Sequence, residues 1–90
     1  MRYVLFYESA DDVSEAAPIH FPAHREYWRS FVATGTLLLI GPLEDPRDGA
    51  MAVFTTREAA ETFARDDPFV VNGVVRRWHV RGWDEALTGR

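Results

Sequence analysis

Apolar and aromatic residues fall into four short runs that are separated by more polar stretches. The runs occupy residues 3–7, 36–40, 51–54 and 74–80, and they are rich in β-branched and aromatic side chains. Runs of this length and composition predict β-strands. The first three runs are apolar at both odd and even positions, so both faces of these strands are expected to be covered.

Two of the polar stretches carry the pattern of a helix. The first helix is predicted to begin at Pro22, because proline suits the first turn of a helix, and to end before Gly35. Residues 8–21 are interpreted as a loop or a weak helical turn. The inward face of this helix is indicated by three aromatic residues at helical spacing, Tyr27, Trp28 and Phe31.

The second helix follows the third strand. Thr55 and Glu58 fit a capping box that would open it, and Pro68 would stop it. Residues 66–73 are then expected to form an irregular turn before the last strand. The chain is predicted to be a single domain over residues 1–90, with a core of about 3–82 and a short C-terminal tail, residues 83–90, that holds Trp83.

The resulting order of elements, β-α-β-β-α-β, is that of the ferredoxin-like α+β fold. Right-handed crossovers make the four-stranded sheet antiparallel, in the order 4-1-3-2, with the two helices on one face. The other face of the sheet would be apolar and uncovered, which is unusual for a monomer. We therefore expect a homodimer that packs through the open sheet face.

Composition and charge exclude several classes of protein. The chain has 14 acidic and 10 basic residues, for a net charge of −4, so it lacks the surplus of Lys and Arg that nucleic-acid binding requires. It has no cysteine, which excludes disulfides and a thiolate nucleophile. No apolar run approaches a membrane span and residues 1–5 do not resemble a signal peptide, so a cytoplasmic location is expected.

The predicted topology brings two chemically interesting side chains to one edge of the sheet. His24 would lie in the first turn of the first helix, and Asp67 at the end of the second. The positive end of the helix dipole would favour a neutral imidazole, which suits a general base, and a carboxylate could hold its tautomer. A purely structural interpretation stays open: His24 would pack its ring and donate one hydrogen bond, and Asp67 would organise the turn before Pro68.

The other histidines give weaker indications. His20 precedes His24 by four residues, but Pro22 is expected to place His20 outside the helix, so no metal site is predicted. His79 shares a face of the last strand with Arg77 and Arg81. That face is interpreted as solvated or as part of an interface, with a small anion site as the alternative. No cofactor motif is present, and no cofactor is predicted.

Taken together, several short motifs resemble those of the YCII-related family over most of the chain. They are Pro22-Ala23-His24, Gly35-Thr36-Leu37, Gly41-Pro42-Leu43, Gly49, Glu58-Ala59-Ala60, Asp67-Pro68-Phe69 and Gly73. The resemblance implies a dimeric ferredoxin-like α/β barrel and an active site formed by His24 and Asp67. The chain departs from the family at Phe21, where an arginine is common, and this puts an anionic substrate in doubt.

The functional hypothesis is a cofactor-independent enzyme that acts on a small aromatic or hydroxylated molecule. His24 and Asp67 would perform acid–base chemistry of the elimination or isomerisation type, as in a dehydrochlorinase of the family. Backbone groups near Gly41 would stabilise an oxyanion. Substrate contacts are expected from Gly41, Pro42, Trp28 and Phe69. The alternative is a non-catalytic dimeric domain that binds a metabolite or another protein.

Overall fold

The strands form one antiparallel sheet in a computed structural model that describes residues 1–86 of the chain. They are β1 (Arg2–Ser9), β2 (Leu37–Pro42), β3 (Ala50–Phe54) and β4 (Val75–Trp83). Their order in the sheet is β2-β3-β1-β4, and every neighbouring pair is antiparallel. This is the predicted order, so β1 and β3 are the central strands and the α+β, ferredoxin-like fold is confirmed.

Helix α1 is longer than the sequence pattern predicts. It spans Val13–Ala33 and contains both Pro18 and Pro22. The interpretation of residues 8–21 as a loop or a weak helical turn is therefore wrong from Val13 onward. Proline in a helix interior removes one backbone hydrogen bond and crowds the preceding turn, yet packing of the inner face can outweigh this cost. His24 is therefore in the middle of α1 rather than in its first turn, and the argument from the helix dipole does not apply to it.

Helix α2 spans Arg57–Asp66, and its cap is one residue later than predicted. Thr56, whose backbone is extended, accepts a hydrogen bond from the backbone N–H of Ala59 through its hydroxyl. Thr55 is not the cap because its N–H donates to the carbonyl of Thr36 and continues the pairing of the sheet. Within the predicted irregular turn, a one-turn helix α3 covers Pro68–Val71.

Three strands extend beyond their predicted ends, and the first of them, β1, ends at Ser9 rather than at Tyr7. β2 includes Gly41 and Pro42, which pair with Met51 and Ala50, whereas the pattern predicted an end before Gly41. Proline is tolerated there because β2 is an edge strand. β4 reaches Trp83, which the sequence assigned to the tail. The final part of that predicted tail, residues 87–90, lies outside the described residues.

The helices cover one face of the sheet and build the core there. Phe54 of β3 and Phe63 of α2 are fully buried and in contact, with ring centroids 5.2 Å apart. The rest of the buried cluster comes from alternate positions on the strands and from the inner face of α2: Leu5, Tyr7, Leu37, Ala52, Ala60, Ala64, Val75 and Val80. None of the helices within residues 1–86 is long and apolar enough to cross a membrane.

The opposite face of the sheet carries the other set of alternating side chains. We call it the open face; register places on it Val4, Phe6, Leu39, Met51, Val53, His79, Arg81 and Trp83. Leu39 is 66% exposed and Trp83 53% exposed, although Val4 and Val53 are buried between their neighbours. The face is therefore apolar at its centre, as the strand patterns predicted.

Candidate active site

His24 and Asp67 lie in direct contact, although they are 43 positions apart in sequence. Nδ1 of His24 is 2.7 Å from Oδ1 of Asp67. His24 is 7% exposed and Asp67 is completely buried. The approach of these two side chains is what the predicted topology required, even though His24 reaches the site from the middle of α1.

The position of Asp67 follows from the local sequence Asp-Pro-Phe. The backbone N–H of Asp67 donates to the carbonyl of Phe63 at the end of α2, which holds the residue between two helices. Pro68 then occupies the first position of α3, and Asp67 Oδ1 accepts a hydrogen bond of 3.1 Å from the N–H of Phe69. Asp67 is thus the N-cap of α3, and its carboxylate is fixed by that role.

Tyr7 is a third polar member of the site, and the sequence reasoning missed it. Its hydroxyl donates a hydrogen bond of 2.5 Å to Oδ2 of Asp67. Burial raises the pKa of Tyr7, and the negative charge of Asp67 together with this hydrogen bond raises it further. The one available signal was its place on the inner face of β1, since a buried tyrosine hydroxyl requires a partner.

The hydrogen bonds around Asp67 define the tautomer of His24. The carboxylate accepts from the hydroxyl of Tyr7 and from the N–H of Phe69. An ionised carboxylate has no proton to donate, so the bond to His24 requires that Nδ1 carry the proton. Nε2 then holds a lone pair, and within the described part of the chain it has no hydrogen-bond partner.

Aromatic rings flank the imidazole. The ring of Phe69 is stacked on His24, with centroids 3.9 Å apart and planes inclined by 3°. Phe21 lies on the same helix as His24, with its ring 6.1 Å from the imidazole and 6.5 Å from Phe69. These contacts restrict rotation of the imidazole and surround it with apolar atoms.

A cavity of about 390 Å³ adjoins the imidazole, between α1 and the sheet. One stripe of α1 supplies a wall, formed by Val13, Ala17, Phe21, His24 and Trp28. The facing wall comes from the adjoining ends of β2 and β3 and includes Ile40, Gly41, Pro42, Ala50 and Ala52. The described residues that line the cavity include no Asp, Glu, Lys or Arg, so the imidazole of His24 is the one titratable group there that could face an anionic ligand as a cation.

Gly49 shapes the wall where β1 and β3 meet. Its φ of +124° lies in the region that favours glycine, and a Cβ atom would be 2.1 Å from the carbonyl oxygen of Tyr7. A side chain at this position would therefore displace the backbone of β1. The close approach fixes the stretch of β1 that carries Tyr7 into the site.

The structure assembles most of the predicted site residues around one cavity. His24, Trp28, Gly41, Pro42 and Phe69 all line it, and Asp67 is in contact with His24 on the side of Nδ1.

The other two histidines lie elsewhere. His20 is part of α1 and not outside it, which corrects the prediction, and the cavity wall does not include it. His79 is on the open face and stacks on Phe6, with centroids 5.0 Å apart. Over residues 1–86, no three His, Asp or Glu side chains are grouped as metal ligands would be.

The fold and the buried His–Asp pair beside a cavity define an α+β protein of ferredoxin-like topology with a candidate acid–base site. A model of the YCII-related domain matches residues 1–84, and the chain belongs to the YCII-related family. The family that the motifs resembled is thereby confirmed. No curated protein matches the chain.

A solved structure shares the fold over almost the whole chain. It is the 5-chloro-2-hydroxyhydroquinone dehydrochlorinase from Burkholderia phenoliruptrix AC1100, in complex with 2,5-dihydroxybenzoquinone. The two chains superpose with a TM-score of 0.77 at 18% sequence identity, over 96% of each chain. At 18% sequence identity, this structural similarity shows that the two proteins share a fold.

Proposed function

We propose that the protein is a cofactor-independent enzyme that acts on a small molecule, with His24 as its general base. One observation carries the proposal: Nδ1 of His24 is held by Asp67 at 2.7 Å, while Nε2 is unpartnered among the described residues and the imidazole lines a cavity. A base whose tautomer is fixed by a carboxylate, whose other nitrogen is unpartnered and whose ring borders a ligand-sized space has the arrangement that proton abstraction requires.

The chemistry follows from the two nitrogens. Nε2 takes a proton from the substrate, and the carboxylate of Asp67 stabilises the imidazolium that forms. In an elimination, the electron pair left on the substrate forms a double bond and the leaving group departs with its own pair. In an isomerisation, the same proton returns to another atom of the substrate. The dehydrochlorinase activity named for the structural neighbour supports elimination.

The walls of the cavity favour an uncharged aromatic substrate. The aromatic side chains of Phe21, Trp28 and Phe69 line it, and the described lining carries no charged side chain apart from His24 when protonated. Transfer of an unpaired carboxylate into such a space is costly. Gly41 and Pro42 would contact the substrate from the opposite wall. The quinone bound by the structural neighbour supports a hydroxylated ring as the substrate class.

A screen of hydroxylated and chlorinated benzenes tests the proposal. Chloride release and changes in ultraviolet absorption would report elimination and isomerisation in the purified protein. For an active compound, His24→Gln is expected to lower kcat/KM by about 10²–10⁴-fold, because a positioned base contributes this much. His20→Gln, one turn earlier on α1, is the matched control and is expected to change it less than about twofold.

Two outcomes would contradict the proposal. Equal turnover of an active compound by the wild type and His24→Gln would exclude His24 as the base. Binding of several compounds in the cavity without turnover of any would favour the alternative, a non-catalytic metabolite-binding domain.

We also propose that the open face is covered by a second copy of the chain. Leu39, Met51 and Trp83 are between 37% and 66% exposed on this face, next to the aromatic ring of Phe6. Apolar side chains grouped on one face of a sheet are typical of a surface that a partner covers. The symmetric contact of two such faces would give the dimeric barrel that the family resemblance implies.

A further inference from the structure

We infer that Tyr7 is a positioning residue that sets the basicity of His24 through Asp67. The inference rests on the proposed function of His24 and extends it to a residue that has no hydrogen bond to the imidazole. Tyr7 hydrogen-bonds to one carboxylate oxygen of Asp67, and His24 to the other. The three side chains therefore form a chain of hydrogen bonds from the sheet to the cavity.

The backbone of Tyr7 is held in place on several sides. It lies in the central strand β1, paired with Ala50 of β3 and with Trp78 of β4. Gly49 packs against its carbonyl so closely that no side chain fits between them. With its side chain only 8% exposed, Tyr7 presents its hydroxyl to Oδ2 from a rigid support.

The hydrogen bond from Tyr7 also determines which oxygen of Asp67 faces the imidazole. The N–H of Phe69 and the ring of His24 share Oδ1, whereas Tyr7 alone occupies Oδ2. With donors on both oxygens, the carboxylate plane is fixed. Loss of the hydroxyl would leave Oδ2 buried without its donor.

The electrostatic effect of this bond has a definite sign. A hydroxyl that donates to a carboxylate stabilises the negative charge and makes the oxygens weaker acceptors. Asp67 then stabilises an imidazolium less than it would alone. Removal of the hydroxyl is therefore expected to make His24 a stronger base.

Few other titratable groups lie near the pair. Tyr27 of α1 donates its hydroxyl to the carbonyl of Phe63 and not to Asp67. Burial, followed by the charges of Asp66 and Asp67, raises the pKa of Tyr27 to about 12, so it stays neutral across the range in which histidine titrates. Asp66 is exposed and His20 lies one turn earlier on α1. Among the described side chains, Tyr7 and His24 are the only ones that hydrogen-bond to Asp67.

The experiment follows the three histidines by NMR in protein labelled with ¹⁵N-histidine, without any substrate. Long-range ¹H–¹⁵N spectra would give the tautomer and the titration midpoint of each ring. In Tyr7→Phe, the midpoint of His24 is expected to rise, on the order of one pH unit, with the proton of the neutral ring still on Nδ1. His20 and His79 should be unchanged.

Tyr3→Phe is the matched control, because Tyr3 lies on the same strand and the same face and its hydroxyl has no hydrogen bond to the described residues. It should leave all three midpoints unchanged. A fluorinated tyrosine incorporated at position 7 keeps the shape of the side chain and makes the phenol a stronger donor. It is expected to move the midpoint of His24 in the opposite direction, to lower pH.

The fluorinated tyrosine at position 7 keeps the inference testable even if Tyr7→Phe fails to fold. A midpoint of His24 that is unmoved by the fluorinated residue, or shifts of the same sign in both variants, would overturn it. Because no turnover is measured, such a result would leave the role of His24 to be decided by the substrate screen. If His24→Gln is inactive while the midpoint of His24 is unmoved by the changes at position 7, His24 remains the proposed base and the role assigned to Tyr7 is excluded.

Discussion

At the scale of single residues, Asp67 connects three elements of the fold. Its carboxylate accepts hydrogen bonds from Tyr7 on β1, His24 on α1 and the backbone of Phe69 on α3. The side chain has no exposed surface, so none of these bonds can be replaced by bulk water. A buried carboxylate is tolerated in a protein only when its oxygens accept hydrogen bonds in this way.

Asp67→Asn is expected to destabilise the protein by about 2–4 kcal/mol. The charge-assisted hydrogen bonds would be lost, and the amide has only one oxygen that can accept a hydrogen bond. Urea unfolding followed by tryptophan fluorescence at pH 7 would measure the change. Asp66→Asn, at the adjacent exposed position, is the control and should change the stability by less than about 0.5 kcal/mol. Equal stability of the Asp67→Asn variant and the wild type would contradict the structural role assigned to the carboxylate.

The raised pKa of Tyr7 predicts a loss of stability in alkaline solution. The folded state favours the protonated phenol, whereas the unfolded chain titrates near the ordinary value of 10.0. The contribution of Tyr7 to stability is therefore complete below about pH 10 and is lost as the pH rises above that value. Urea midpoints measured between about pH 8 and pH 11 should fall less steeply for Tyr7→Phe than for the wild type. Tyr3→Phe should retain the steep fall, and an identical slope for all three proteins would contradict the prediction.

The sequence alone could predict the His24–Asp67 contact but not the role of Tyr7. The contact follows from topology, since the order of strands and helices brings the two residues to one edge of the sheet. Tyr7 occupies an apolar position in the strand pattern, where tyrosine and phenylalanine give the same signal. Only the structure, in which β1 lies next to the start of α3, shows that its hydroxyl reaches Asp67.

At the scale of elements, the first half of α1 is where local sequence and tertiary structure disagree most. Proline usually marks the start of a helix, and for this reason Pro22 was interpreted as a boundary. In the structure the helix begins nine residues earlier, at Val13, and the stripe that includes Val13, Ala17 and Phe21 lines the cavity. These residues recur at helical spacing in the sequence, but the two prolines favour a helix boundary at Pro22, and only tertiary packing shows that the helix continues through them.

The two prolines predict weaker hydrogen bonding in this half of α1. Pro18 and Pro22 have no N–H, so the carbonyls of Ser14 and Pro18 lack their usual helical partners. Hydrogen exchange should therefore be at least about tenfold faster for the amides of residues 14–21 than for those of residues 27–33. Uniform protection along α1 would contradict this expectation.

Pro22→Ala restores one donor and tests the cause of the faster exchange. It is expected to slow exchange over residues 14–21 and to stabilise the protein by about 1–2 kcal/mol. Pro68→Ala is the matched control, because Pro68 is at the first position of α3, where the missing N–H has no helical partner to lose. It should give no such gain in stability.

At the scale of the whole molecule, the sheet separates two apolar regions with different expected occupants. The cavity under α1 is lined by aromatic side chains and one imidazole, which suits a small ligand. Met51 borders both regions. A second copy of the chain on the open face would therefore contact a strand that also forms part of the cavity wall.

Leu39→Glu tests the proposed dimer, because Leu39 is the most exposed of the large apolar residues on the open face. Sedimentation velocity over micromolar concentrations should show a wild-type dimer and a variant whose dissociation constant is at least about tenfold higher. A buried, unpaired carboxylate opposes association, and a two-fold interface would contain two of them. Ile19→Glu, at a position of α1 that is 73% exposed, is the control and should leave the dimer intact. A wild type that sediments as a monomer throughout, or a Leu39→Glu variant that dimerises as well as the wild type, would exclude the open face as the interface.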